Sequence, residues 1–248
     1  FLVWSFLHTS VTKRKRHNAA MKNQFPIVGI VGAGAMGRGI AQIAAQAGSR
    51  VLLLDMQPDA AASARGSIQT QWQRLQDKGR ISDEQAQGWG NLLEPVATIA
   101  DLASCDLVIE AIVERLDAKQ ALFAQLEAVV GPHAVLATNT SSLAVTAIGA
   151  TLRRPERLAG FHFFNPVPLM KVVEVIAGLK TAPAVCESLS HYARQMGHTP
   201  VQAQDTPGFI VNHAGRGFGT EALRIVGEGV ADFATIDRIL RDQVGFKL

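Results

Sequence analysis

The sequence predicts an α/β fold in which a doubly wound, mostly parallel sheet is followed by the start of an all-helical C-terminal domain. Three observations lead to this prediction. From residue 25 onward, short β-branched runs alternate with longer segments of helical periodicity, the pattern of a parallel sheet covered by helices. A glycine-rich turn follows the first of these runs. After a break at 205–208, helical periodicity continues without further strand character.

The first four predicted strands are short and apolar throughout, as expected of parallel strands buried on both faces. Longer amphipathic segments between them predict helices, and Ser82 with Gln85 forms a capping box for a short extra helix. The predicted strands are 27–31, 51–54, 107–112 and 135–138, and the predicted helices are 37–47, 58–78 and 116–130.

The chain changes character after residue 138. Two strand-like runs, 157–164 and 170–176, are joined by Asn165-Pro166-Val167-Pro168, a segment too rich in proline to be helical. We expect them to be antiparallel neighbours at the edge of the sheet. A helix at 183–196 and an extended run at 199–204 come next. Beyond Asp205-Thr206-Pro207-Gly208, two amphipathic helices are expected at 209–226 and 235–244.

The charge pattern argues against a nucleic-acid-binding protein. The net charge is +3 over 248 residues, but without the run Lys13–Arg16 the chain holds 20 basic and 21 acidic residues. No apolar stretch approaches the roughly 20 residues that cross a membrane. Cys105 and Cys186 have no metal-site spacing, so we expect buried thiols in a cytoplasmic protein and no bound metal.

Residues 1–20 contain the basic run and no acidic residue. The apolar part precedes the basic part, which is the reverse of a secretory signal. A transit peptide is one interpretation, and an unstructured leader or added segment, with Met21 as the natural start, is the other.

The motif Gly32-Ala33-Gly34-Ala35-Met36-Gly37 directly follows a predicted strand and opens a helix, the context that dinucleotide binding requires. Gly32 permits the tight turn, Gly34 allows backbone amides to approach a pyrophosphate, and Gly37 allows close packing of helix and strand. Asp55, at the end of the second strand, would accept hydrogen bonds from the adenosine ribose and repel a 2′-phosphate. The sequence therefore predicts a Rossmann-type domain that binds NAD.

Polar groups within the later apolar runs suggest acid–base chemistry. His162 and Glu174 lie at equal distances from Pro168, so antiparallel strands would pair them as a general base with an orienting carboxylate. A structural histidine and a separately paired glutamate are the alternative. The segment 138–142 follows a buried strand at the edge where ligands bind, although it could equally be the N-cap of a helix at 143–152.

Several segments resemble the signatures of 3-hydroxyacyl-CoA dehydrogenases. They are His162-Phe163-Phe164-Asn165-Pro166-Val167-Pro168 with Lys171 and Glu174, Asn139-Thr140-Ser141-Ser142, and the run from Asp205 to Asn212. The resemblance extends from about residue 25 to the end of the chain. It implies three parts: a leader at 1–20, an NAD-binding Rossmann domain at 21–206, and the incomplete beginning of a helical substrate and dimerisation domain at 207–248.

The resemblance also implies roles for individual residues. His162 would be the general base and Glu174 its partner, with Ser141 and Asn212 contacting the substrate oxygen. Glu114, Lys119 and Asn139 would lie on the cofactor side. Lys78 would correspond to a lysine near the CoA phosphates.

The implied reaction is the NAD-dependent oxidation of an L-3-hydroxyacyl-CoA to a 3-ketoacyl-CoA, as in fatty acid metabolism. The run 212–217 resembles a subgroup of bacterial phenylacetate breakdown that acts on 3-hydroxyadipyl-CoA, and a dicarboxylic substrate would account for the basic Arg216 near Asn212. We expect an acyl-CoA substrate and a homodimer formed through the helical domain, with no nucleic-acid or membrane partner. A sugar-acid dehydrogenase of the same fold and an NAD-binding structural protein, as in the lens, are the alternatives.

Overall fold

The computed structural model describes residues 23–245, so the predicted leader lies outside the described residues. Eight strands form one sheet in the order β3-β2-β1-β4-β5-β6-β7-β8. None of the helices within 23–245 is long and apolar enough to cross a membrane. The elements are β1 Ile27–Val31, α1 Ala35–Gln46, β2 Arg50–Leu54, α2 Ala60–Asp77, α3 Asp83–Asn91, β3 Leu93–Val96, β4 Leu107–Glu110, α4 Leu116–Val129, β5 Val135–Thr138, α5 Val145–Gly149, β6 Leu158–Phe163, β7 Val172–Ala177, α6 Pro183–Gln195, β8 Thr199–Gln204, α7 Val211–Gly227 and α8 Phe233–Asp242, with short 3-10 helices at Ile99–Ser104 and Pro155–Arg157.

The sheet is parallel from β3 to β6 and is covered on both faces by apolar clusters. Ile30, Val108 and Leu136 in its centre are fully buried, which explains why these strands read as continuous apolar runs. The strand order reverses between β1 and β4. A crevice at the carboxyl ends of the strands opens at such a reversal, and ligands bind there in doubly wound sheets. The predicted α/β fold class is confirmed.

The antiparallel pairing of β6 with β7 is confirmed, with His162 directly opposite Glu174. Their predicted place at the edge of the sheet is wrong. The extended run at 199–204 adds as β8, parallel to β7, and takes the edge position. The crossover through α6 makes this parallel pairing possible, and the distance along the chain hides it from local patterns.

The opposite edge is formed by β3, a strand that the sequence patterns missed. Its residues Leu93-Glu94-Pro95-Val96 include a charge and a proline, which argue against a strand. An edge strand tolerates both, because one side of its backbone has no partner strand.

Helix and strand ends differ from the predicted bounds by up to two residues. β4 ends at Glu110 instead of residue 112, because the Ile112 amide donates to the Glu110 side chain rather than to the ladder. α7 begins at Val211 instead of residue 209, because Phe209 has a positive φ of 48°. The capping box of Ser82 and Gln85 is confirmed at the start of α3. Cys105 and Cys186 are buried free thiols, and burial raises the pKa of the Cys105 thiol to about 12.

Candidate active site

The glycine loop between β1 and α1 is shaped by contacts that exclude side chains at two of its three glycines. Gly32 has a φ of +102°, and a Cβ there would lie 2.5 Å from the Ala111 carbonyl oxygen. A Cβ on Gly37 would lie 1.7 Å from the Gly32 carbonyl oxygen. A Cβ on Gly34 would meet no atom of the protein within 4 Å. The glycine at 34 therefore leaves open space above the backbone, as the approach of a ligand requires.

The loop ends at the N-terminus of α1, where Gly34 is the N-cap and brings no side chain to the first backbone N–H groups. These groups and the helix dipole attract an anion such as a pyrophosphate. Asp55 stands beside them: its Oδ2 accepts a hydrogen bond from the Ala33 amide at 2.6 Å, and its Oδ1 accepts one from the Gln57 amide at 2.9 Å. Each oxygen can accept a further bond from a ribose hydroxyl. The residues at this edge therefore fit a dinucleotide.

His162 and Glu174 form a buried pair, with 2.7 Å between His162 Nδ1 and Glu174 Oε2. The pairing expected from the sequence is thus confirmed. Because a carboxylate only accepts hydrogen bonds, Nδ1 of the neutral imidazole carries the hydrogen and Nε2 keeps its lone pair. The rings of Phe164 and Phe209 pack on the imidazole, with centroids at 4.5 and 5.7 Å. The arrangement can take up a proton at Nε2.

The second oxygen of Glu174 serves another part of the fold. Glu174 Oε1 accepts hydrogen bonds from the amides of Ile210 and Val211, both at 2.9 Å, where α7 begins. These amides belong to the N-terminal turn of the helix, which has no intrahelical acceptors for them. One carboxylate therefore orients the histidine and caps the first helix after the sheet.

Glu114 accepts several hydrogen bonds from the loop that follows β5. Its Oε1 accepts hydrogen bonds from the Thr140 hydroxyl at 2.7 Å, the Ser141 amide at 2.8 Å and the Ser142 amide at 3.1 Å. The Ser141 hydroxyl also donates to it, at 3.2 Å. Burial raises the pKa of Glu114, but the bonds from Thr140 and Ser141 and the nearby ammonium of Lys119 outweigh it and lower the pKa to about 2. Glu114 is therefore ionised at neutral pH.

Lys119 is buried between two carboxylates. Its Nζ lies 2.5 Å from Glu110 Oε1 and 3.3 Å from Glu114 Oε2. The Thr138 hydroxyl donates to the other oxygen of Glu110 at 2.7 Å. Only 1% of Lys119 is exposed, so its ammonium group contacts these two carboxylates and not the solvent. Its ion pair with Glu114 helps to fix the position of that side chain. Sequence reasoning missed Glu110, although a glutamate within the apolar run 107–112 carried the same signal that singled out Glu174.

Two asparagines connect neighbouring elements at this edge. Asn139 Oδ1 accepts a hydrogen bond from the Phe163 amide at 2.9 Å, beside His162. Asn212 Nδ2 donates to the Ser141 carbonyl oxygen at 3.3 Å, which joins α7 to the loop after β5. These bonds connect Asn139 to the strand that carries His162, and connect Ser141 to α7, whose first amides donate to Glu174.

The N-cap alternative for residues 138–142 is wrong. The next helix, α5, begins at Val145, and its first amides donate to Asp205. Lys78 makes none of the side-chain hydrogen bonds or ion pairs described above. It is the C-cap of α2, an 18-residue helix whose length of about 27 Å separates its two ends. Among residues 23–245, no three His, Cys, Asp or Glu side chains come together as a metal site would require.

The two family models that match this chain describe the same enzymes. The family model described as "3-hydroxyacyl-CoA dehydrogenase, NAD binding domain" matches residues 27–206, and the model of the C-terminal domain of the same enzymes matches residues 208–248. Among curated relatives, the 3-hydroxyadipyl-CoA dehydrogenase of Escherichia coli K12 is 46% identical over 221 residues, covering 89% of this chain and 46% of that protein. A probable 3-hydroxybutyryl-CoA dehydrogenase of Bacillus subtilis 168 is 40% identical over 212 residues, covering 86% of this chain and 74% of the relative.

Solved structures give the same picture. The crystal structure of 3-hydroxybutyryl-CoA dehydrogenase from Escherichia coli K12 has a TM-score of 0.85 and 45% identity, covering 88% of this chain and 46% of that one. The (S)-3-hydroxybutyryl-CoA dehydrogenase structure from Ralstonia eutropha has a TM-score of 0.85 and 33% identity, covering 90% and 79%. The chain spans about half the length of the two Escherichia coli proteins.

Proposed function

The chain belongs to the 3-hydroxyacyl-CoA dehydrogenase family, and from that premise we propose that the protein oxidises an L-3-hydroxyacyl-CoA to the 3-ketoacyl-CoA with NAD. The observation that carries this proposal is the buried pair of His162 and Glu174 at the carboxyl edge of a dinucleotide-binding sheet. Oxidation of a secondary alcohol needs a base for the hydroxyl proton, and the lone pair on His162 Nε2 supplies it. NAD, when bound, accepts the hydride.

In this proposal each residue around the base has a separate task. Glu174 holds the tautomer of His162 and stabilises the imidazolium that forms when the proton is taken up. Ser141 and Asn212 contact the substrate oxygen, and the hydrogen bond from Asn212 Nδ2 to the Ser141 backbone carbonyl keeps the two residues together. Donors close to an oxygen that gains negative charge would stabilise the transition state.

On the cofactor side, the loop that contains Gly32, Gly34 and Gly37 binds the pyrophosphate. Asp55 accepts hydrogen bonds from the ribose hydroxyls. Glu114 is supported by Lys119 and orders the loop that carries Asn139 and Ser141. Lys78 is proposed for the far end of the CoA, away from the reacting carbon.

We propose that residues 21–206 form the NAD-binding domain and that residues 207–248 begin a helical domain through which a homodimer forms. Leu223, Phe233 and Ile239 on the two helices have exposed apolar side chains. Exposed apolar side chains that lie together are typical of a surface that a second protein chain covers, which supports the proposed dimer. Sedimentation velocity should give a mass of two chains. A single-chain mass at micromolar concentration would contradict the dimer.

The test of the reaction is oxidation of NADH by the purified protein with acetoacetyl-CoA, compared with His162→Ala. We expect turnover in the native protein and a loss of about 10² or more in kcat in the variant, because general-base catalysis contributes factors of this size. NADH binding should be unchanged, since His162 lies outside the glycine loop.

Turnover that survives in His162→Ala would exclude this residue as the base. A native protein that binds NADH and leaves acetoacetyl-CoA unchanged would favour a sugar acid or another hydroxy acid as substrate, or a structural role.

A dicarboxylic acyl-CoA is the substrate class we favour. The relative named 3-hydroxyadipyl-CoA dehydrogenase supports it, as does the resemblance of residues 212–217 to the phenylacetate subgroup. The protein would then act in bacterial breakdown of phenylacetate. Comparison of kcat/KM for 3-hydroxyadipyl-CoA and 3-hydroxybutyryl-CoA tests this, and a preference for the shorter substrate would contradict it.

A further inference from the structure

A cavity lies along the first turns of α7 and the segment that precedes the helix, with lining residues on both sides of Asn212 in the chain. Its volume is about 430 Å³. The residues that line it are Thr206, Pro207, His213, Arg216, Gly217 and Thr220.

The position of Arg216 connects this cavity with the candidate active site. Residues four apart in a helix lie on the same side, about 6 Å apart along the axis. Asn212 is tied to Ser141 by its side-chain amide. Arg216 therefore lines the cavity one helical turn from Asn212, and His213, the residue that follows Asn212, lines it as well.

The guanidinium of Arg216 is available for a ligand. Within residues 23–245 it has no hydrogen bond and no ion pair, whereas Arg224 on the same helix is paired with Glu221 and Glu228. An arginine fork suits a carboxylate, which it can bind through two parallel hydrogen bonds.

The lining of the cavity also indicates the kind of ligand. Pockets for an unsubstituted acyl chain are lined predominantly by apolar side chains. The surface of this cavity is also mainly apolar, but its residues add a guanidinium, an imidazole and two hydroxyls, a combination that suits a short carbon chain ending in a carboxylate. An apolar groove between α7 and α8, which includes Phe218 and Ile225, lies on a different face of α7 from Asn212.

We infer that Arg216 and this cavity bind the terminal carboxylate of a dicarboxylic acyl-CoA and thereby determine substrate specificity. The inference rests on the proposed dehydrogenase function, and it assigns the preference for a dicarboxylic substrate to one side chain. In 3-hydroxyadipyl-CoA three carbon–carbon bonds separate the reacting carbon from the terminal carboxylate. Together with the reach of an arginine, this chain spans the turn between Asn212 and Arg216.

The test compares 3-hydroxyadipyl-CoA with 3-hydroxyhexanoyl-CoA, which has the same chain length and no terminal carboxylate. The native protein should prefer the first in kcat/KM. Arg216→Ala should lower that preference by tenfold or more, because a hydrogen bond to a charged group contributes at least this factor. Arg216→Lys should retain part of it, since lysine keeps the charge without the fork. Arg238→Ala, an exposed arginine of α8 outside the cavity, should leave the preference unchanged.

Each other outcome has a distinct meaning. Equal losses on both substrates in Arg216→Ala would overturn the subsite and place Arg216 on the CoA moiety that the substrates share. An unchanged kcat/KM on each substrate would overturn it as well. If the native protein oxidises neither substrate, the proposed function itself fails. Because the preference is a ratio measured on one protein sample, partial unfolding of a variant cancels from it.

Discussion

At the scale of single residues, the carboxylate of Glu174 carries three hydrogen bonds while fully buried. It accepts one from His162 Nδ1 and two from the amides at the start of α7. A buried carboxylate without such partners would be strongly unfavourable. The partners thus explain how a charged residue can lie within the apolar strand β7, and they couple the state of the base to the position of the helix.

Replacing Glu174 by Gln should reduce kcat by about 10² or more, an effect of the size that acid–base catalysis contributes. The amide oxygen can still accept from α7, but the amide NH₂ would then face His162 Nδ1. Nδ1 would accept a hydrogen bond, and the ring hydrogen would move to Nε2, which could no longer take the substrate proton. Steady-state kinetics with acetoacetyl-CoA and NADH measure the change, with KM close to native.

The matched control is Glu187→Gln, on the exposed side of α6, which should keep native kcat. A kcat within threefold of native in Glu174→Gln would show that Glu174 is a structural partner and does not set the tautomer.

At Gly34, the effect of a side chain on cofactor binding can be measured separately from its effect on folding. Gly34→Ser should fold normally, because an added Cβ meets no protein atom within 4 Å and serine is a favoured N-cap. It should nevertheless weaken NADH binding about tenfold or more, since the side chain occupies the space of the pyrophosphate. Calorimetric titration with NADH and a thermal melt measure the two effects.

Gly37→Ala provides the contrast, because its Cβ would collide with the Gly32 backbone and destabilise the protein itself. Native NADH affinity in Gly34→Ser would exclude the close approach of the cofactor at this position.

At the scale of elements, the loop after β5 takes its shape from a neighbouring helix. Glu114, just before α4, receives donors from Thr140, Ser141 and Ser142. Lys119 contacts Glu114 from the sheet side and is itself paired with Glu110, which accepts a hydrogen bond from Thr138. A chain of polar contacts therefore runs from inside the sheet to the loop that carries Ser141.

This chain predicts a pH-dependent contribution of Glu114 to stability. The pKa of Glu114 is lowered in the folded protein from its ordinary value of 4.5 to about 2. A carboxylate with a lowered pKa stabilises the fold fully above the unfolded value and loses that contribution as the pH falls through the folded value. Glu114→Gln should therefore lower Tm by a constant amount above pH 5, and the difference from native should narrow between pH 4.5 and 2.

We expect a difference of about 2–4 °C at pH 7, the shift that about 1 kcal/mol produces in a chain of this size, after allowance for solvent screening of a partly exposed group. Calorimetry of both proteins from pH 7 to pH 3 measures it. A gap that widens as the pH falls would contradict the assigned role.

At the scale of the whole molecule, the site lies where the sheet domain meets the first helix beyond it. Glu174 and the Asn212–Ser141 bond connect α7 to the sheet. Asp205, at the end of β8, accepts hydrogen bonds from Val145 and Thr146 at the start of α5. The base, the loop and α7 therefore form one connected arrangement, although they come from separate parts of the chain.

A ligand that binds across such an arrangement should stabilise the whole molecule. NADH at about 100 times its Kd should raise Tm by roughly 5–10 °C, the effect of about 2.7 kcal/mol of binding free energy in a chain of this length. NADPH at the same concentration should raise it far less, because Asp55 repels a 2′-phosphate. Thermal melts with each nucleotide measure the difference, and equal shifts would contradict the assignment of NAD.

Much of the molecule follows from local pattern. The strands β1, β2, β4 and β5 agree with the apolar runs, because buried parallel strands need such runs. The pairing of His162 with Glu174 was predictable from two strands and the proline turn between them. The edge strand β3 was not, because an edge position accepts residues that strand patterns exclude.

The sequence by itself determined the fold class, the glycine loop, the dinucleotide preference and the family, since these depend on residue types at short, regular spacings. The tertiary structure alone decided which oxygens of Glu174, Glu114 and Asp205 meet which amides, that Lys119 lies buried against Glu110, and that Arg216 lines a cavity beside α7. The reason is physical. A buried charge must find partners wherever the packed chain presents them, and those partners come from elements that are remote in the sequence and adjacent only after folding.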